Sequence, residues 1–161
     1  KTPSTIGSDQ VTLAENPPAL KKRHPEVQID LSAIAKGYAV DRFAAVLRKK
    51  GLEDFMVEIG GEILTSGTKY GEPWLIGIDQ PSFKRMKNRT LSAKVELSNA
   101  AMATSGNYRN FIKQGTKIYS HILDPRTGYP VKHATASATV IAPTCLEADA
   151  AATVLMVLGS K

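Results

Sequence analysis

Thr144-Cys145-Leu146-Glu147 opens the stretch that most constrains the fold of this chain. Threonine followed three residues later by glutamate is a capping box, in which two otherwise unpaired N–H groups at a helix start are satisfied reciprocally. The residues behind it, 148–158, are apolar but interrupted by Asp149. Such a run is too short to span a bilayer and reads as a buried helix. A buried helix needs other elements to cover it.

One cover is a second helical pattern. Asp30 is placed to cap a helix starting near Ser32 and running to about Lys50. Ile34, Tyr38, Val40, Phe43, Ala44 and Leu47 form its apolar stripe. Arg48, Lys49 and Lys50 sit at its negative end, and Gly51 suits a left-handed stop. The rest of the cover is strand. Residues 55–59, 62–65, 74–79, 90–97 and 134–142 carry β-type patterns, and Gly60-Gly61 punctuates the first two. On 90–97 the residues Leu91, Ala93, Val95 and Leu97 share one face. Residues 101–104 lead to Ser105-Gly106 and a short helical or turn segment through Phe111. Gln114-Gly115 reads as a hairpin turn into 117–123, and residues 124–128 as a tight turn. Two long helices among such strand runs predict an α+β fold with a largely antiparallel sheet. Residues 1–26 are weakly patterned, with 11–13 as their one short strand candidate and 27–29 a second apolar segment beyond them.

At 161 residues the chain is one domain with room for a real core. Its formal charge of +6 comes largely from clusters at 21–23, 48–50 and 84–89. No nucleic-acid-binding motif accompanies them, so no nucleic-acid partner is expected. The same field would serve a small anionic ligand. Cys145 is the single cysteine, which excludes an internal disulfide and a multi-cysteine metal site. Core packing is its expected role. The chain starts without an initiator methionine, signal peptide or lipidation motif, and reads as cut from something longer.

Asp149 and Thr153 lie four residues apart, so a carboxylate and a hydroxyl project from one helix face. Both are hard oxygen donors suited to Mg²⁺ or Ca²⁺. Spacing alone is equally served by Thr153 bonding back to the Asp149 carbonyl, the commoner arrangement. Asp30 reads as a cap, Lys36 as a surface lysine, and Gly60-Gly61 as a turn. Histidines are most often structural, a reading kept for His24 and His133. Arg126 has two candidate partners, a phosphate and Asp124.

Five segments in order resemble the ApbE family of FAD:protein FMN transferases. They are the run from Asp30 to Asp41 containing Ala35-Lys36-Gly37-Tyr38, then Ile59-Gly60-Gly61-Glu62, Thr104-Ser105-Gly106, the run from Ser120 to Gly128, and Glu147-Ala148-Asp149-Ala150-Ala151-Ala152-Thr153. The resemblance covers residue 27 to the end. It implies Mg²⁺ bound by Asp149, Thr153 and the carbonyl of Ala33. It implies FAD contacts from Asp30, Lys36, Gly60, Gly61, Ser105 and Ile122, and a catalytic His121. FAD would be the substrate, a Thr or Ser hydroxyl of a protein in a membrane redox complex the acceptor, and AMP the leaving group. Hydrolysis of FAD to FMN and AMP, or flavin and metal binding without catalysis, are the alternative readings. The resemblance also implies a periplasmic or membrane-anchored location on the outer face of the inner membrane. Family members are about twice this length, so an N-terminal part of the flavin site and a segment after Gly159 are expected to lie elsewhere. A dimer in which a second chain supplies them is the oligomer this reading allows.

Overall fold

The capping box is present as read. In the computed structural model, which describes residues 6–82, 90–108, 111–114 and 117–160, the Thr144 side chain accepts from the Glu147 N–H and the Glu147 carboxylate answers at Thr144. It opens helix α2, Cys145–Leu158. Only one face of that helix is buried. Cys145, Ala148, Asp149, Ala152 and Met156 are covered, whereas Val154, Leu155 and Leu158 are exposed, so a run this apolar has more apolar surface than its neighbours bury.

Helix α1, Ala35–Lys49, ends as expected, with Gly51 at φ +79°. Its start differs. The N-cap position is Ile34, with no side-chain cap, and the Asp30 carboxylate instead accepts from the Ser32 N–H at 2.8 Å in a turn before the helix. Asp30 organises the approach rather than the first helical turn. The buried stripe is also narrower: Gly37, Val40 and Ala44 are covered, while Tyr38 and Phe43 are more than half exposed.

The helices pack side by side on a four-stranded antiparallel sheet of order β12-β7-β4-β3. Its strands are β3 (Phe55–Ile59), β4 (Glu62–Ser66), β7 (Ala101–Gly106) and β12 (Ser137–Ala142). Alternation along them separates two cores. Phe55, Leu64 and Ala101 face the helices and pack with Val40, Ala44 and Cys145. Ile63 and Met102 face the other way, onto Ile76 and Leu97 of a second hairpin, β5 (Trp74–Asp79) with β6 (Leu91–Leu97). Burial along β6 fades toward its start, from buried Leu97 to exposed Leu91.

Three smaller hairpins complete the described chain. The weakly patterned N-terminal segment pairs β1 (Val11–Glu15) with β2 (Pro18–Lys22). β1 contains the 11–13 strand candidate; apart from half-buried Val11 the hairpin is exposed, so no buried face marks β2 in the sequence. Residues 27–29 form no strand, although Val27 is buried. β7 runs through Ser105-Gly106 and Phe111 belongs to β8 (Phe111–Gln114), so of the short helical or turn segment expected through Phe111 the described residues show a bend at 107–108 and no helix. β8 pairs with β9 (Lys117–Ser120), placing a hairpin where one was read, although Gly115 lies outside the described residues, as does the basic loop at 84–89. β10 (Leu123–Asp124) and β11 (Tyr129–Pro130) flank the 124–128 turn. The α+β class with a largely antiparallel sheet is therefore the architecture observed.

Candidate functional site

The two helices cap each other. Asp41 of α1 accepts from the N–H groups of Cys145 and Leu146, at 2.8 and 2.9 Å, satisfying the start of α2. Asp149 of α2 accepts from the N–H of Gly37 at 2.9 Å, in the first turn of α1. The α1 start, lacking a cap of its own, thus borrows one from a residue 112 positions away. The exchange demands close approach. A Cβ on Gly37 would stand 2.4 Å from the Cys145 carbonyl oxygen and 2.9 Å from the Asp149 Cβ. Glycine at this position serves the contact between helices rather than the approach of a ligand.

Beside this crossing lies a cavity of about 760 Å³. It is walled by the turn before α1, the β3–β4 turn, the end of β7, part of β5, the link between β9 and β10, and one face of α2. Asp30, Ala33, Lys36, Gly60, Gly61, Ser105, His121, Ile122, Asp149 and Thr153 all line it. Every residue that the family resemblance assigns to the site therefore meets at one place, although they come from five separate stretches of chain.

Their local settings follow from short-range chemistry. Gly60 and Gly61, at φ +66° and +104°, form the two-residue loop that joins β3 to β4, as the closing pair Ile59–Glu62 requires. They are a turn and also part of the cavity wall. The hydroxyl of Thr153 lies 3.2 Å from that of Ser105, tying α2 to β7 within the cavity. Asp149 is 2% exposed. His121 is exposed in the link after β9, where the Ser120 hydroxyl accepts from the Ile122 N–H and sets the turn. Arg126 resolves its two candidate partners toward Asp124, with a two-pronged ion pair of 2.8 to 3.2 Å that holds the Asp124 carboxyl below its usual range. His133 is structural: its Nε2 lies 2.8 Å from the Met156 carbonyl near the end of α2.

The +6 of the chain does not give a positive balance among the described lining residues. Among the described lining residues, Asp30, Glu58, Asp79 and Asp149 are acidic and Lys36 is the lysine. Lys36 is itself engaged, its Nζ 2.6 Å from Oε1 of Glu62. Glu62 is 1% exposed, and burial pushes its carboxyl above the usual range against the pull of Lys36. Sequence reasoning quoted Glu62 only as part of a motif and missed its role. A signal existed, because period-two alternation puts Glu62 on the Leu64 face, where an apolar residue is expected.

The donor set fits a small hard cation. The Asp149 carboxylate, the Thr153 hydroxyl and Ala33 line the same cavity, and the Gly37 N–H occupies only Oδ2 of Asp149 among the bonds of that carboxylate. Oxygen donors with one carboxylate suit Mg²⁺, which keeps water or phosphate for its remaining positions.

The model of the ApbE family matches residues 1–161. The chain belongs to the ApbE family. It is 43% identical over 157 residues to the FAD:protein FMN transferase of Haemophilus influenzae, aligning 96% of this chain with 45% of that protein. To the protein so named in Vibrio cholerae it is 44% identical over 156 residues, again 96% against 45%. The solved structure of flavin transferase ApbE from Vibrio cholerae matches at TM-score 0.80 and 42% identity, covering 96% of this chain and 48% of that one. The ApbE protein of Thermotoga maritima matches at TM-score 0.83 and 34% identity, covering 94% and 48%. This ApbE-family chain therefore spans about half the length of the relatives it matches.

Proposed function

We propose that the cavity binds FAD with a divalent cation and passes the FMN portion to a serine or threonine hydroxyl of another protein. The observation that carries this reading is the gathering of Ala33, Lys36, His121, Asp149 and Thr153 around one cavity in a chain of this family.

The Asp149 carboxylate, the Thr153 hydroxyl and the Ala33 carbonyl would hold Mg²⁺, which when bound supplies charge neutralisation at the diphosphate and polarisation of the phosphorus. Asp149 is aimed by the Gly37 N–H and Thr153 by Ser105, so the helix crossing orients one donor and strand β7 the other. The side-chain-free turn at Gly60-Gly61 leaves room for the flavin nucleotide, and Ile122 offers it an apolar contact. His121 accepts the proton of the acceptor hydroxyl as that oxygen attacks the FMN-side phosphorus. A bond forms from the acceptor oxygen to phosphorus. The bond from that phosphorus to the bridging oxygen breaks, and AMP leaves with the electron pair. The exposure of His121 suits an acceptor as large as a protein.

The proposal extends to a periplasmic or membrane-anchored position on the outer face of the inner membrane, with redox-complex subunits as the flavin acceptors. Calorimetric titration with FAD, with and without Mg²⁺, followed by assays of AMP and of FMN-labelled acceptor, tests the chemistry. Mg²⁺-dependent binding with labelled acceptor supports it. AMP and free FMN formed without any labelled acceptor would make the chain a hydrolase. Absence of FAD binding under both conditions would remove the proposal for this chain.

A further inference from the structure

Lys36 is the described cavity residue best suited by charge to a phosphate, yet it is already committed. Its Nζ contacts Oε1 of Glu62 at 2.6 Å, a carboxylate behind the cavity wall rather than on it. The lysine side chain is 46% exposed and the glutamate 1%. Oε2 of Glu62 is buried and has no hydrogen-bond partner, so the ammonium is the side-chain group that compensates this carboxylate. Moving Lys36 onto a phosphate would leave a charged group buried and alone, the most unfavourable outcome for such a pair. The turn reinforces the placement. A Cβ on Gly60 would stand 3.4 Å from Cδ of Lys36 and 3.5 Å from Oε2 of Glu62, so the two side chains pack against the bare loop.

With Lys36 neutralised, the described wall presents Asp30, Glu58 and Asp149 to an incoming ligand. A bare diphosphate would meet like charge. A divalent cation on Asp149 reverses the local sign.

We propose that Glu62 is a positioning residue that holds Lys36 at the wall and masks its charge, so that a diphosphate enters this cavity only together with a divalent cation. The inference rests on the reading of the cavity as a metal-assisted diphosphate site. It differs from a plain structural ion pair in the sign of one effect. If Glu62 only supports the fold, removing its charge leaves anion binding unchanged or weaker. If it masks Lys36, removing its charge strengthens anion binding where no metal is present.

The test uses ADP as the probe, titrated in EDTA and in Mg²⁺ against the unsubstituted chain, Glu62→Gln, and Glu62→Gln combined with Lys36→Met. Glutamine preserves shape and an acceptor for Lys36 while removing the charge. Glu62→Gln is expected to bind metal-free ADP about tenfold more tightly, the scale of one added charge-assisted hydrogen bond. The ratio of affinities with and without Mg²⁺ should shrink accordingly, and the double variant should return to the unsubstituted level in EDTA. Metal-free affinity that is unchanged or lower in Glu62→Gln, at an unaltered thermal midpoint, overturns the proposal. Should Glu62→Gln fail to fold, the Nζ resonance of Lys36 in the unsubstituted chain decides: it should stay in place when ADP is added in EDTA, and a shift overturns masking. An unsubstituted chain that binds ADP in neither condition sinks the metal–diphosphate reading instead. Metal-free binding by Glu62→Gln would then still support masking, and none by either protein would overturn both.

Discussion

Oδ2 of Asp149 accepts a hydrogen bond from the backbone N–H of Gly37 at 2.9 Å, so the carboxylate proposed to hold Mg²⁺ is also the cap of helix α1. With Asp41 capping α2 in return, the cavity and the helix pair are held by the same groups. Function and stability are therefore coupled at this position, and substitutions can be chosen to separate them.

Asp149→Ala removes the metal donor and also leaves the buried Gly37 N–H unpaired, at about 1–3 kcal/mol of stability. Asp149→Asn keeps an amide oxygen for Gly37 and loses only the charge. Mg²⁺ affinity by calorimetry should collapse in both variants, whereas the urea midpoint should fall clearly only in Asp149→Ala. Equal midpoints for alanine and asparagine would show that the cap contributes nothing.

Gly37→Ala should destabilise the chain by about 1–3 kcal/mol, an overpacking effect. The added methyl would meet the Cys145 carbonyl at 2.4 Å, a backbone atom that cannot swing aside. This outweighs the roughly 1 kcal/mol that alanine gains over glycine inside a helix. Urea unfolding is the measurement, and a variant as stable as the unsubstituted chain would contradict the close crossing.

His121→Ala should lower the rate of FMN transfer by about a hundredfold or more, the usual contribution of a general base. FAD affinity should change little, because a base acts in the transition state rather than in binding. Paired rate and calorimetry measurements check this. An affinity that collapses together with the rate would make His121 a binding residue.

Cys145 should resist thiol reagents in the native chain and react once per chain in denaturant. It is fully buried, and burial together with nearby Asp41, Glu62 and Asp149 pushes its thiol up to about 12. The native chain thus keeps a proton that the unfolded chain releases from about 9 upward. This thiol's contribution to stability accordingly declines as pH rises from there toward 12. Urea midpoints that hold steady across that alkaline window, compared with Cys145→Ala, would refute the assignment.

The elements legible in the sequence are those with short-range chemical signals. The Thr144–Glu147 capping box, the Gly51 stop and the Gly60-Gly61 loop each act within a few residues, and each stands where it was read. The misread elements lack such signals. In the β1–β2 hairpin only the 11–13 part of β1 is legible, because β2 is wholly exposed and has no buried face. Asp30 resembles a cap for a helix starting near Ser32, whereas the cap is Asp149. Tyr38 and Phe43 fit a helical period yet lie off the covered face, since periodicity does not say how wide a stripe the neighbouring sheet can bury.

By itself the sequence determined the elements with short-range signals and the α+β class, because spacing along a helix or strand and the chemistry of turn residues are properties of adjacent positions; the ten cavity-lining residues named from it came through the family resemblance and not from spacing. Only the tertiary structure decided how those residues are used. It paired Asp149 with Gly37, Asp41 with the start of α2, and Lys36 with Glu62. It also gave the described part of the cavity wall an acidic balance inside a basic chain. These contacts join residues 26 to 112 positions apart, and their partners are chosen by the packing of helices on a sheet and by the need to satisfy buried charges and N–H groups, neither of which is written in local spacing.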